Sequence, residues 1–299
     1  MTEKKALVLG CGYVGQALAC ALREHGVAVT GTTRTKDRFP DIEAAGATPA
    51  LADVMDPATL RPLAEQRPDV VFDLVRPQRI DENRYTSWGT RNIATIFADC
   101  GLEALVYVSS TSVYGRRSGE WTDETTEIEP ASPVGMARAE AENLYLEAAR
   151  TNGLPARVCR VPGIYGPGRT LRQRLETGAY RRMDDEKLWV SRIHVSDLAA
   201  GLLAAWRKGA PGEVYLLCDD EPTTGQDYAE LTASLLSLPL PPTVDREDIR
   251  DELNVDVFER RISSRRCRNR RMREELGVEL RYPTVREGVP AALREEGAL

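Results

Sequence analysis

The stretch Gly10–Leu22, GCGYVGQALACAL, decides how this chain reads. It follows the apolar run ALVL (Ala6–Leu9) and opens a segment, Val14–Glu24, with helical periodicity. Glycines stand at Gly10, Gly12 and Gly15. Between a buried strand and a helix, that spacing has a physical purpose. The first glycine permits a tight turn. The second lets backbone approach a diphosphate with no Cβ in the way, and the third lets helix pack closely on strand. The helix N-terminus then offers free N–H groups and partial positive charge. On this reading Gly10, Cys11, Gly12, Tyr13, Val14 and Gly15 hold a dinucleotide, with Val54 and Val75 near the ends of later strands beside it. The competing reading is a glycine-rich turn that binds nothing.

The next strand, Val27–Thr32, ends in GTTRTKDR. A carboxylate placed there would bind both ribose hydroxyls and repel a 2′-phosphate, but none occurs before Asp37. Thr33 and Arg34 occupy the place instead, and an arginine pairs with a phosphate through its forked donors. The cofactor expected is therefore NADP(H) rather than NAD(H), the alternative being that Arg34 is a solvated loop residue. Asp53, in LADVMD, either accepts from an adenine amino group or caps the helix starting near Pro57, for which Asp56 is better placed.

Outward from the loop, apolar runs and helical patterns alternate. Strands are expected at Val70–Val75, Leu105–Ser109, Ala156–Val161 and Val214–Cys218, and helices at Pro57–Glu65, Thr90–Cys100 and Ala137–Arg150. Continuous apolar strands alternating with helices give an α/β protein whose parallel sheet is covered on both faces. From about Gly163 the texture changes to glycine and proline punctuation and then an arginine-rich stretch, read as a smaller cap. The 299 residues, 42% hydrophobic and 29% charged, describe an ordinary globular protein, and the net charge of −6 does not favour nucleic acid or an anionic membrane. No apolar run reaches membrane-spanning length, and the N-terminal MTEKKALVLG does not read as a signal peptide. The six scattered cysteines form no C-x-x-C and there are two histidines, so reduced thiols, no metal site and a cytoplasmic location are expected.

Several stretches in this order carry a resemblance. They are GCGYVG, ADV, WGTRNI (Trp88–Ile93), SSTSVYG (Ser109–Gly115), RVPGIYGPGR (Arg160–Arg169), RIHVSDLA (Arg192–Ala199) and EVYLLCDDEPTT (Glu213–Thr224). Together they resemble the extended short-chain dehydrogenase/reductases, the NAD-dependent epimerase/dehydratase family, over nearly the whole chain. The resemblance implies a Rossmann-type doubly wound sheet with a smaller C-terminal substrate cap. The expected division is residues 1–163 for the nucleotide domain and 164–299 for the cap, with segments near 193–220 returning to the main sheet.

The departures are informative. The family's first loop glycine falls at Leu9, and Gly10 stands one residue later. Its Tyr-x-x-x-Lys pair follows a proline; here Pro133 is followed by Val134, and Arg138 takes the lysine position. Valine has no proton to exchange, and arginine keeps its charge while still able to bond ribose hydroxyls. The chain thus resembles an atypical subgroup that keeps the cofactor motif and lacks the Tyr–Lys pair, with RRCRNRRMREELGVELRYPTVREG (Arg265–Gly288) near its end.

Ser110 falls where the family places its catalytic Ser or Thr. Tyr114 and Tyr165 lie in loops expected to flank the nicotinamide, as catalytic groups or as packed aromatics. His194 is a proton-transfer candidate or a structural hydrogen bonder, with Asp197 read as the cap of the following helix. Asp123 and Glu124 are a base or, preferentially, turn formers. Arg169 and Arg172 follow the GPG turn, where relatives meet their substrate. They are read as substrate-binding groups for a phosphate or carboxylate, or as a solvated face. Eight arginines crowd Arg260–Arg273, read as a packed, flanked helix face rather than a nucleic-acid site. The function expected is an NADP(H)-dependent oxidoreductase or epimerase-like enzyme acting on a small polar or anionic, nucleotide-sugar-like substrate. The alternative is a catalytically silent NADP(H) sensor. A small-molecule substrate, no nucleic acid, no membrane and a homodimer through the Thr90–Cys100 and Ala137–Arg150 helices complete the expectation.

Overall fold

The computed structural model describes residues 3–82, 84–183, 188–250 and 252–299. Seven parallel strands form the central sheet: β1 (Lys5–Leu9), β2 (Ala28–Thr33), β3 (Thr48–Leu51), β4 (Val70–Asp73), β5 (Ala104–Ser110), β6 (Ala156–Val161) and β7 (Val214–Leu216). Their order across the sheet is β7-β6-β5-β4-β1-β2-β3. The strand order reverses beside β1, where an open α/β sheet leaves a crevice beyond its strand ends.

Side chains explain the layering. Along β1, Ala6 and Val8 pack into one core and Leu7 and Leu9 into the other. Phe72 and Val71, or Val106 and Leu105, divide in the same way. Both faces of each central strand are apolar because both are covered, each fully buried Leu or Val contributing about 1.5–3 kcal/mol. One face carries α1 (Tyr13–Glu24) and α6 (Val195–Lys208). The other carries α3 (Pro57–Glu65), α4 (Trp88–Phe97) and α5 (Pro133–Asn152). The short α2 (Phe39–Ala44) precedes β3.

The element boundaries differ from the sequence reading where side chains bond locally. The fourth strand stops at Asp73, whose Oδ1 accepts from Val75 N–H and turns the chain. The α5 helix begins at Pro133, four residues earlier than its periodicity implies, because Ser132 caps it and proline suits the first helical position. Asp56 caps α3, as its position suggested. Asp197 is not the cap of α6. His194 is, and the Asp197 carboxylate instead accepts from the N–H groups of Arg281 and Tyr282. The strand β3, with its proline, lacks a continuous apolar run and was visible only through the Asp53 that follows it.

The second half returns to the sheet, with β7 pairing on β6 and α6 packing on α1. It also builds a small four-stranded sheet in which Ser264–Cys267 pairs parallel with Ser118–Thr122. Against this sits α7 (Val255–Ile262), capped by Asn254. No described helix is long and apolar enough to cross a membrane.

Candidate active site

A cleft of about 620 Å3 opens at the C-terminal ends of β1, β4 and β5. One wall is the glycine loop: Gly10, Gly12, Tyr13, Val14 and Gly15. Gly10 has φ +80°, a conformation other residues rarely adopt, and a Cβ there would lie 3.2 Å from Val75 Cγ2. A Cβ on Gly15 would approach the Gly10 carbonyl oxygen to 3.0 Å, so this glycine permits the helix–turn contact. A Cβ on Gly12 would meet nothing within 4 Å and would point into open space. Gly12 also leaves the start of α1 without a side-chain cap, so the first N–H groups are free. An open cradle and uncapped donors suit a dinucleotide diphosphate.

The opposite wall comes from the end of β5 and the start of α5. Ser110, Ser112, Val134 and Arg138 all line the cleft. Ser110 Oγ accepts from Ser112 N–H at 3.2 Å, and Ser112 Oγ is buried with no partner among the described residues. Arg138 reaches back to the Val108 carbonyl at 3.4 Å. Asp256, at the start of α7, accepts from the Val134 N–H at 3.2 Å, and its carboxylate raises the pKa of the neighbouring Tyr85 phenol. Tyr85, Asp256 and Trp189 line the same cleft; none was singled out in the sequence. Only distant folding brings α7 to α5, so no local motif signals Asp256.

Beneath this wall lies a buried polar layer. Tyr145 donates to Asp73 at 2.7 Å, and burial pushes the Asp73 carboxyl up to about 6. Glu142, fully buried, receives a forked pair from Arg160 and a bond from Ser109.

Other candidates lie elsewhere. Cys11 belongs to the loop by its backbone, but its thiol packs into the core, where burial raises its pKa to about 11. Tyr114 is fully buried, donating to the Asp123 carbonyl and accepting from Arg160. Tyr165 is buried against His194 and Tyr228 and donates to the Thr284 carbonyl at 3.3 Å. Both are packed aromatics with a satisfied hydroxyl, not groups of the cleft. His194 bonds Ser196 through Nδ1 while capping α6; burial lowers its pKa to about 4, so near neutral pH it is an uncharged structural residue. Arg172 does not face the cleft, because Glu176 and Glu296 hold it. Arg169 does line the cleft, with its guanidinium 5.3 Å from the centre of the Tyr13 ring.

At the far end of the nucleotide side, Arg34 is exposed at the tip of β2, without an ion pair among the described residues, whereas Arg38 is engaged by Asp41. Thr33 Oγ1 accepts from Thr35 N–H. Asp53 closes its own turn by accepting from Met55 N–H, and the Val54 carbonyl accepts from Asn92. Asp123 forms a turn with Thr125 and Thr126, and Glu124 accepts from Leu216 N–H on β7.

Comparison with known proteins identifies the family and the fold. Residues 6–218 match the model of the NAD dependent epimerase/dehydratase family. A 4-hydroxy-2-methyl-3-oxo-4-farnesyl-3,4-dihydroquinoline-1-oxide ketoreductase from Stigmatella aurantiaca is 27% identical over 235 residues, 74% of this chain and 70% of that protein. A conserved protein of unknown function from Silicibacter pomeroyi has a similar structure, with 35% identity, a TM-score of 0.83 and coverage of 98% of this chain and 99% of that one. UDP-glucuronic acid 4-epimerase from Bacillus cereus, solved with UDP-glucuronic acid and NAD, shares the fold at 19% identity and a TM-score of 0.81, covering 98% and 99% of the two chains.

Proposed function

The chain belongs to the NAD dependent epimerase/dehydratase family, and on that premise we propose that it is an NADP(H)-dependent oxidoreductase acting on a small polar or anionic substrate without a Tyr–Lys proton relay. The observation that carries this reading is the shared cleft. The glycine loop forms one wall and the Ser110–Val134–Arg138 group the other, so a dinucleotide's reactive end and a substrate oxygen would meet there.

When bound, the dinucleotide supplies a hydride to a substrate carbon or takes one from it. The chain's residues do the rest. The free N–H groups at the start of α1 and the open space at Gly12 accommodate the diphosphate. Arg138 offers donors to ribose hydroxyls. Ser110 Oγ orients the substrate oxygen. The Tyr85 hydroxyl, beside Asp256 and Val134, lines the cleft wall as a hydrogen-bonding group, and Asp256 raises its pKa, so it holds its proton rather than giving it up. The ketoreductase from Stigmatella aurantiaca supports a carbonyl reduction in particular. A homodimer through α4 and α5 fits the exposed Trp88 and Met136 near their N-termini.

NADP(H) selection rests on Arg34 and on the missing carboxylate after β2. Fluorescence and calorimetric titrations with NADPH, NADP, NADH and NAD test it. The phosphorylated forms should bind at least about tenfold tighter, and Arg34→Ala should erase that margin. Equal affinities in the wild type would sink the NADP preference, and no binding of any of the four would sink the oxidoreductase reading. Val134 at the tyrosine position favours one second reading, a redox-silent NADP(H) sensor. It predicts tight binding with no oxidation of NADPH by any carbonyl compound tried.

A further inference from the structure

Several guanidiniums in the second half of the chain meet carboxylates: Arg172 meets Glu176, Arg181 meets Glu252, and Arg271 meets Glu213 and Glu275. Five arginines line the cleft; Arg138 and Arg265 donate to the backbone carbonyls of Val108 and Gly115, and the other three meet no carboxylate among the described residues. Arg76 leaves the end of β4, Arg169 follows the Gly166–Gly168 turn, and Arg260 stands on α7. Among the described residues none of the three has an ion-pair partner, and all are exposed to the cleft. They are near enough to repel one another. Desolvation, then Arg76 and Arg260, lower the pKa of Arg169; desolvation, then Arg76 and Arg174, lower that of Arg260, with Asp256 opposing. Like charges gathered in this way cost free energy unless an anion joins them. The chain as a whole carries a net charge of −6.

Their placement separates two jobs. Arg169 leans on Tyr13, beside the glycine loop. Arg260 belongs to the other end. The bond from Val134 N–H to Asp256 seats the start of α7 on the first turn of α5. Arg260 is four residues further along α7, about one turn or ~6 Å of rise. An unpaired guanidinium therefore stands one turn along the helix whose start is bonded to the residue at the tyrosine position. Arg76 lies near enough to both for its charge to act on each of them. The dinucleotide's diphosphate already has the uncapped start of α1.

We propose that Arg76 and Arg260, backed by Arg169, form a subsite for the substrate's own anionic group, a carboxylate or phosphate only a few atoms from the reacting carbon. This rests on the oxidoreductase reading and narrows it to a small oxo or hydroxy acid, or a small phosphate ester. The arginines come from the sheet side and from α7, so a bound anion also draws these two parts together across the cleft.

The test is calorimetric titration with inorganic phosphate and with succinate, on protein alone and on protein saturated with NADP. The variants are Arg76→Gln, Arg260→Gln and, as a control on an exposed residue paired with Glu274, Arg270→Gln. At least one anion should bind the NADP-saturated wild type, the preferred one identifying carboxylate or phosphate. Its affinity should fall about tenfold in Arg76→Gln and in Arg260→Gln, and stay unchanged in Arg270→Gln. NADPH affinity should stay within about twofold in all variants. The proposal is overturned by no binding of either anion, or by equal binding in all four proteins. It is also overturned if NADP expels the anion while both cleft variants lose NADPH affinity, which would assign these arginines to the cofactor. A wild type that binds no dinucleotide defeats the oxidoreductase reading alone; the anion titrations of the free protein then still decide the subsite.

Discussion

Asp73 shows how much one residue below the cleft can weigh. It is 1% exposed and ends the strand that delivers Val75 against Gly10. Desolvation pushes its pKa up to about 6, against the opposing bonds from Tyr145 and Val75 and the charge of Arg138. In the unfolded chain the group titrates near ~3.9. Below about pH 4 it is neutral in both states and costs the fold nothing. As pH rises from about 4 to about 6 the unfolded chain releases the proton while the folded protein retains it, so stability falls. Above about 6 the loss is complete, roughly 3 kcal/mol for a difference near two units. Asp73→Asn removes this dependence. Unfolding free energies in urea at pH 4 and pH 7 should show the variant gaining roughly 2 kcal/mol on the wild type across that interval; parallel pH profiles would refute the assignment. The sequence could not disclose this group, since an aspartate at a strand end reads as solvated until its Tyr145 partner, 72 residues away, is known.

At the scale of the element, the turn into α1 was legible because its chemistry is local. Three glycines, a preceding apolar strand and a following amphipathic helix lie within twenty residues, and the structure gives the glycines different jobs. Gly12 faces open space with a negative φ of −89°, whereas Gly15 is pressed against the Gly10 carbonyl. Gly12→Val should therefore change stability by no more than about 1 kcal/mol while weakening dinucleotide binding at least tenfold. Gly15→Val should cost about 1–3 kcal/mol of stability through overpacking. Thermal melts and NADPH titrations on the two variants separate the effects, and a large stability loss in Gly12→Val would show that its side is not open. The start of α5 was legible for the same reason, since Pro133, Val134 and Arg138 can be placed by spacing alone. By contrast, Arg76 follows a strand as an unremarkable loop residue, and Arg260 sat in an arginine run read as a packed face. Nothing local distinguishes an unpaired arginine from one that finds its glutamate across the fold.

At the scale of the whole molecule, the cleft is held by contacts between segments far apart in sequence, and one buried network joins most of them. Arg160 on β6 makes a forked bond to Glu142 on α5, with side chains 4% and 0% exposed. Ser109 on β5 donates to the same glutamate. Arg160 also donates to the Tyr114 hydroxyl and the Glu124 carbonyl, and the Glu124 carboxylate accepts from Leu216 N–H on β7. Three strands, a helix and the loop after β5 thus meet at one guanidinium directly behind the Ser110 wall. The motif RVPGIYGPGR marked this region in the sequence, but as a resemblance, because the glutamate that gives Arg160 its role lies eighteen residues earlier. Replacing one member of such a pair leaves a buried charge alone. Arg160→Met should cost about 3–5 kcal/mol, whereas Arg160→Met combined with Glu142→Leu should recover a large part of that loss. Urea unfolding of both variants measures this. If the network also positions the cleft wall, the double variant should regain stability without regaining wild-type NADPH affinity, because the apolar pair fills the space but no longer ties the end of β5, which carries Ser110, to β6, α5 and the loop after it. Full recovery of both would make the pair a packing element with no part in shaping the site.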